Sequence, residues 1–244
     1  MIYPGSCAMI KGNLYLIPSI LAEGAIENVI PAGTIEIIRG LRYFIVEEIR
    51  TARRFLIKAG ISSPINDLTF FVFNEHSVET GLEQFFSPAF EGHSIGLLSE
   101  AGVPCVADPG ALIVRTAHTL EIRVVPLTGP SSILLSLMAS GFNGQNFAFI
   151  GYLPSEKNDR NKRIREVEQK MIVQDQTQIF IETPYRNLQL FDAIVSVCNP
   201  ETMLCLATNI TGDQEIIVSK PIRIWKNRKP DIHKKNTIFL LYHS

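Results

Sequence analysis

Clustered metal ligands are missing from this sequence. Its four cysteines, Cys7, Cys105, Cys198 and Cys205, stand far apart, and its five histidines are scattered. No Cys-x-x-Cys pair, no His-Glu-x-x-His and no Cys/His cluster occurs, so neither a zinc site nor a disulfide framework is expected, and reduced thiols in a cytoplasm fit best. Walker loops and Gly-x-Ser-x-Gly elbows are absent too, which leaves P-loop and serine-nucleophile chemistry without a basis. Net charge is only −1 over 244 residues. The molecule as a whole is therefore no electrostatic trap for nucleic acid, and any such binding must come from local patches. Residues 1–11 lack a basic segment followed by an apolar one, and no signal peptide is expected. Residues 124–155 carry no charge, but Pro126, Gly129, Pro130, Gly141 and Gly144 break them into pieces too short to span a bilayer. They read as buried core.

What is present is an alternation of short apolar runs with amphipathic stretches. Strands are predicted over residues 13–18, 43–47, 69–74, 94–98, 123–126, 147–150, 178–182, 202–207, 215–219 and 237–242. Helices are predicted over residues 35–41, 50–59, 78–86, 111–120, 131–140, 155–174 and 187–197. This order gives an α/β fold class, with two α/β domains, residues 1–127 and 128–244, and a cleft between them. The last three strands follow one another without a full helix, which suggests an antiparallel edge.

Residues 94–110 are the most distinctive stretch. An apolar strand breaks into Ser99, Glu100, Ala101, Gly102, Val103 and Pro104, runs through Asp108, Pro109 and Gly110, and gives way to a helix. A strand, a Gly/Pro turn and a helix form the usual ligand site at the carboxyl ends of an open sheet. A plain βα connection is shorter. Glu47, Glu48, Arg50, Arg53 and Arg54 lie where a second strand passes into its helix; adjacent arginines can clamp an anion, or they can form a solvated helix face. Glu182, ending a buried strand, can orient a ligand, cap the next helix or pair with Arg186. The start of the helix at Ser131 and Ser132 can accept an anion or simply be well capped.

Two basic runs stand out. The first, from Lys157 to Lys170, is interleaved with acids and reads as a salt-bridged surface helix. The second comprises Lys220, Arg223, Lys226, Arg228, Lys229, Lys234 and Lys235, with Trp225 among them. Trp225 makes it the better candidate for phosphate contacts with base stacking.

Taken together, Leu14-Tyr-Leu-Ile-Pro18, Glu47-Glu-Ile-Arg50, the long Ser99 to Gly110 element, Gly129-Pro-Ser131, Phe149-Ile-Gly-Tyr-Leu-Pro154 and Ile179-Phe-Ile-Glu-Thr-Pro-Tyr-Arg186 resemble the tetrapyrrole (corrin/porphyrin) methylase superfamily. Within it they are most similar to the bacterial 16S ribosomal RNA cytidine 2′-O-methyltransferase branch. The resemblance implies a tetrapyrrole methylase fold, a homodimer and S-adenosylmethionine in the interdomain cleft, against Pro18, Ser99, Glu100, Ala101, Gly102, Val103, Ile181, Glu182, Thr183 and Ala207. It makes Glu48, Glu100 and Arg50 candidates for catalysis, and Arg50, Arg53 and Arg54 candidates for substrate binding, with ribosomal RNA or the small ribosomal subunit as partner. No metal and no membrane are expected. Glu48 and Glu100 stand where the family usually has Asp, and Thr128 replaces a proline. These departures keep two alternatives in view: methylation of a tetrapyrrole or other small molecule, and a non-catalytic RNA-binding member.

Overall fold

The computed structural model describes residues 11–243 except 75, 76 and 78–80. The chain divides into two compact units. One holds the chain up to Ile20 and Ala25–Pro130; the other holds Leu21–Gly24 and Ser131 onward.

The first unit is built on a five-stranded sheet of β1 (Leu14–Ile17), β2 (Tyr43–Val46), β3 (Thr69–Val72), β4 (Ile95–Leu98) and β5 (Val124–Pro126), in the order β3-β2-β4-β1-β5. Every pairing is parallel. Four helices, α1 (Ala32–Gly40), α2 (Ile49–Ala59), α3 (Ser87–Phe90) and α4 (Gly110–Thr119), connect the strands. Parallel sheets are covered on both faces, which explains the unbroken apolar runs. Ile17, Ile38, Phe44, Leu56 and Leu98 pack on one side, and Leu14, Ile45, Phe86, Ile95 and Ile113 on the other. Ile17 and Val46 both register with Leu98, so three strands end at one level and their carboxyl ends form a common rim. The helix expected at residues 78–86 is a 3₁₀ segment over Leu82–Phe86, and residues 78–80 lie outside the described residues.

The second unit carries β6 (Phe147–Tyr152), β7 (Thr177–Ile181), β8 (Met203–Thr208), β9 (Ile216–Pro221) and β10 (Thr237–Tyr242), with α5 (Ser132–Ser140), α6 (Lys157–Gln174), α7 (Asn187–Val197) and the short α8 (Ile222–Trp225). The strand order is β6-β7-β10-β8-β9. Only β6 and β7 pair in parallel; β10 is antiparallel to both β7 and β8, and β8 to β9. The three closing strands lie together at one end of the sheet, in the order β10-β8-β9, and pair antiparallel as expected; β9 is the edge and β10 reaches the middle of the sheet. Its burial follows, since Thr237 to Leu241 are all buried. Ile164, Val167, Met171, Leu190 and Ile194 cover one face, and Leu137 of α5 belongs to the cluster on the other.

Candidate cofactor and substrate site

The segment from Ser99 to Pro109 has no helix or strand and is held by its own polar groups. Gly102, Cys105 and Ala107 have φ of 74°, 69° and 66°. Two non-glycine residues in the left-handed region require compensation from their surroundings. Asp108 supplies it: Cys105 N–H donates to its Oδ1 and Oδ2 at 2.9 and 3.0 Å, and Gly110 N–H to Oδ1 at 2.8 Å. Burial pushes the Asp108 carboxyl up, and those two N–H groups oppose the shift. Asp108 therefore shapes the turn. A Cβ on Gly110 would lie 2.9 Å from Asp108 Oδ1, so this close wrap excludes a side chain there.

The start of the turn is tied to the end of β1. Ser19 N–H donates to the Gly102 carbonyl at 2.8 Å, its hydroxyl to the Glu100 carbonyl at 3.4 Å, and Ser99 Oγ to the Ala101 carbonyl at 3.2 Å. Pro18 fits against Gly129, where an added Cβ would come 2.2 Å from Pro18 Cγ. Among the residues expected at the cofactor, Pro18 and Ser99 to Val103 thus lie at the rim of the first sheet, with Pro18, Ser99 and Gly102 buried and Glu100 and Ala101 exposed.

Glu48 sits at the same rim. As the N-cap of α2 it accepts hydrogen bonds from Arg50 N–H at 2.8 Å and from Thr51 N–H and Oγ1 at 2.6 and 2.9 Å. The Arg50 N–H, then the Thr51 N–H, hold its carboxyl below the ordinary range. Glu100 is shifted the other way: lost hydration, then the Glu48 charge, raise it, while a hydrogen bond with Thr51 opposes them. Ser19, Glu48, Thr51, Ala52, Ser99 and Glu100 line a shallow depression with an empty volume of about 200 Å³. A second, of about 220 Å³, lies beyond Ser99 against Pro104 and Asp108. Arg50 and Arg54 are exposed on α2. Arg53 is also exposed, with its guanidinium 5.6 Å from the Phe70 ring centroid.

In the second unit, Ala207 and Ile181 stand in one row, each in register with Ile238 of β10 between them. Glu182 follows, with a side chain only 1% exposed. Its Oε1 accepts from Thr183 N–H at 2.7 Å and from Arg186 Nε and Nη2 at 3.0 and 2.7 Å. Of the roles open to Glu182, pairing with Arg186 is realised. Its other oxygen, Oε2, is buried without a partner among the described residues.

Trp225 does not serve as a stacking surface. It is 3% exposed, packs edge-on against Phe191 and donates from Nε1 to the Leu204 carbonyl at 3.0 Å. The sequence shows an aromatic among cations, but α8, which follows β9 directly, seats the ring against Phe191 of α7 and Leu204 of β8. In the first run, Arg163 pairs with Glu166 at 3.2 Å, and Arg160 is buried, donating to the Ser155 carbonyl. Cys105 and Cys205 are raised by burial to about 11, and Cys198 is raised too. Among the described residues no group of His, Cys, Asp and Glu could hold a metal ion, and no helix is long and apolar enough to cross a membrane.

Over 96% of its length the chain superposes on 95% of the methyltransferase CobJ, with a TM-score of 0.63 and 16% identity. The chain has the tetrapyrrole methylase fold. No family model matches the sequence. Ribosomal RNA small subunit methyltransferase I of Escherichia coli O157:H7 is 29% identical over 212 residues, 87% of this chain and 70% of that protein. The enzyme of the same name from Leptospira biflexa is 29% identical over 237 residues, 96% and 92% of the two chains. That from Halalkalibacterium halodurans is 30% identical over 199 residues, 80% and 64%. Ser19 and Thr51, which line the depression beside Glu48 and Glu100, and Ile238, which lies between Ile181 and Ala207, are neighbours of the candidate residues that the sequence reading did not single out. Ser19 and Thr51 carried a legible signal, since each follows the end of a strand whose neighbouring residues are candidates. Ile238 carried none, because its place depends on β10 entering the sheet.

Proposed function

We propose that the protein is an S-adenosylmethionine-dependent methyltransferase whose substrate is the RNA of the small ribosomal subunit, with a ribose 2′-hydroxyl as acceptor. The observation that carries this reading is the stapled turn from Ser99 to Val103 at the strand rim, in a chain alike over most of its length to ribosomal RNA small subunit methyltransferases I. In the first unit, Pro18 and residues 99–103 are the residues that would hold the cofactor; in the second, Ile181, Glu182, Thr183 and Ala207 are candidates for the same role. The fit is chemical: small residues admit a flat nucleoside, and the orphaned Glu182 Oε2 is an acceptor suited to an amino or hydroxyl group. When bound, the cofactor supplies a methyl group on a positively charged sulfur.

The chain's own residues position the acceptor and handle its proton. A ribose hydroxyl is a weak nucleophile and benefits from a base or a firm orienting acceptor. Glu100 suits that role better than Glu48, because Glu48 is engaged by the helix start and its carboxyl is held low. Arg50 and Arg54 are free to meet phosphate. The reading includes a homodimer in the cytoplasm; Leu134 and Met138, one turn apart on α5 and 51% and 78% exposed, support a self-contact.

The test is transfer of labelled methyl from S-adenosylmethionine to small ribosomal subunits lacking the modification, followed by mapping of the labelled nucleotide. Label in a ribose is the expected result. Label in a tetrapyrrole such as uroporphyrinogen, with none in the subunit, would replace this substrate; binding of RNA without transfer would leave a non-catalytic member.

A further inference from the structure

Tyr185 is 71% exposed, in the turn between β7 and α7. Lys234 Nζ lies 5.6 Å from its ring centroid. The loop that carries Lys234 is fixed to this turn. Lys234 N–H donates to the Pro184 carbonyl at 3.0 Å, and Lys234 holds a φ of 59° to do so. Asn187, fully buried, donates from Nδ2 to the Ile232 and Lys235 carbonyls at 3.1 and 2.7 Å. These bonds clamp the loop on both sides of Lys234, so its backbone is fixed within reach of the ring. Earlier in the same connection, Lys226, Arg228 and Lys229 are exposed. Arg223 is paired with Glu201 and Lys235 with Asp231, but no carboxylate partners Lys226, Arg228, Lys229 or Lys234 among the described residues.

We propose that Tyr185 and Lys234 form the docking platform for an unpaired base of the RNA substrate. The base stacks on the ring face turned away from Lys234, and Lys234 with the cations at 226, 228 and 229 meets the flanking phosphates. A solvent-exposed ring beside the unpaired Lys234, on a connection that also carries three exposed cations, suits a single strand, in which base and phosphate are presented together; a duplex hides the base. This inference rests on RNA as the substrate class, and it replaces Trp225 with Tyr185 as the aromatic of the second basic run.

The test is the affinity of the whole protein for a labelled single-stranded RNA of small-subunit sequence, measured by fluorescence anisotropy against a duplex of the same length. Y185A is expected to weaken single-strand binding roughly 5- to 100-fold, with Y185F and Y185W close to wild type. K234Q should weaken it and lower the salt dependence by about one phosphate contact. S-adenosylmethionine binding by the same variants, followed calorimetrically, should not change, since Tyr185 and Lys234 are surface residues. Wild-type affinity in Y185A, equal loss for duplex and single strand, or no single-strand binding by the wild-type chain overturns the platform. The proposed activity fails separately: a wild-type protein that binds the strand through Tyr185 yet methylates no subunit keeps the platform and loses the reaction, whereas methylation with an unchanged KM in Y185A does the reverse.

Discussion

Glu48 and Glu100 share Thr51 as a neighbour and are pushed in opposite directions. The cause is local. Glu48 faces the free N–H groups of a helix start, which favour its anion, and Glu100 loses hydration beside that anion. If Glu100 is the base, methyl transfer rises as pH climbs through a carboxyl value above the ordinary 4.5, and E100Q should lower kcat about 100-fold or more and abolish that limb of the profile. E48Q should leave the limb in place. Stability gives the opposite sign for the two. A raised Glu100 favours the protonated folded form, so its contribution is present at low pH and is lost as pH rises through its folded value; E100Q should not lower the melting temperature at neutral pH. The lowered Glu48 contributes above its unfolded value and loses that contribution as pH falls, so E48A should lower the melting temperature at neutral pH and much less in acid. Asp108 belongs to the same scale. D108A strips two N–H groups of their acceptor in a turn with two left-handed non-glycine residues, and should cost about 1–3 kcal/mol by denaturant titration. Both glutamates and Asp108 were visible in the sequence. What the sequence did not show is that Glu100 lies beside Glu48 and Thr51, which are distant in the chain and become its neighbours only in the fold.

At the scale of elements, much was legible because the determining interactions are close in sequence. The parallel strands read as apolar runs since both faces are covered. Helix α2 could be bounded at both ends, with Glu48 capping its start and Gly60, at φ 71°, following its end. Helix α5 was bounded in the same way by Ser131 and Gly141. The failures are non-local. Trp225 sits among cations in the sequence but is drawn under the sheet, and β10 reads like any terminal strand until its partners are known. Gly129 shows the same limit: only the structure reveals that it lies against Pro18. G129A must move a rigid ring, and should destabilise the protein by about 1–3 kcal/mol while weakening S-adenosylmethionine binding through the displaced Pro18. Calorimetric titration beside an unfolding curve would separate the two effects; unchanged stability and affinity would mean the contact between Pro18 and Gly129 yields easily.

At the scale of the whole molecule, the two units are built on different plans, a fully parallel sheet and a mixed one. Alternation of strands and helices gave the α/β class for both, and the sparse helices after residue 197 hinted at the mixed one. In the second unit the stacked rings of Phe180 and Phe239, 5.8 Å apart, join β7 to β10. F239A should cost about 3–5 kcal/mol, and hydrogen exchange should report the loss in residues 131–243 far more than in residues 25–130. The position of β10 also bears on synthesis. Residues 11–130 contain all five strands of their sheet and can close it as soon as they emerge from the ribosome. In the second unit β8 and β9 must wait for residues 237–242, since their only link to β6 and β7 within the sheet is that strand. For the time it takes to translate the residues between, half of a sheet stands with bare edges, and a nascent chain paused before residue 237 should yield one protease-resistant fragment rather than two.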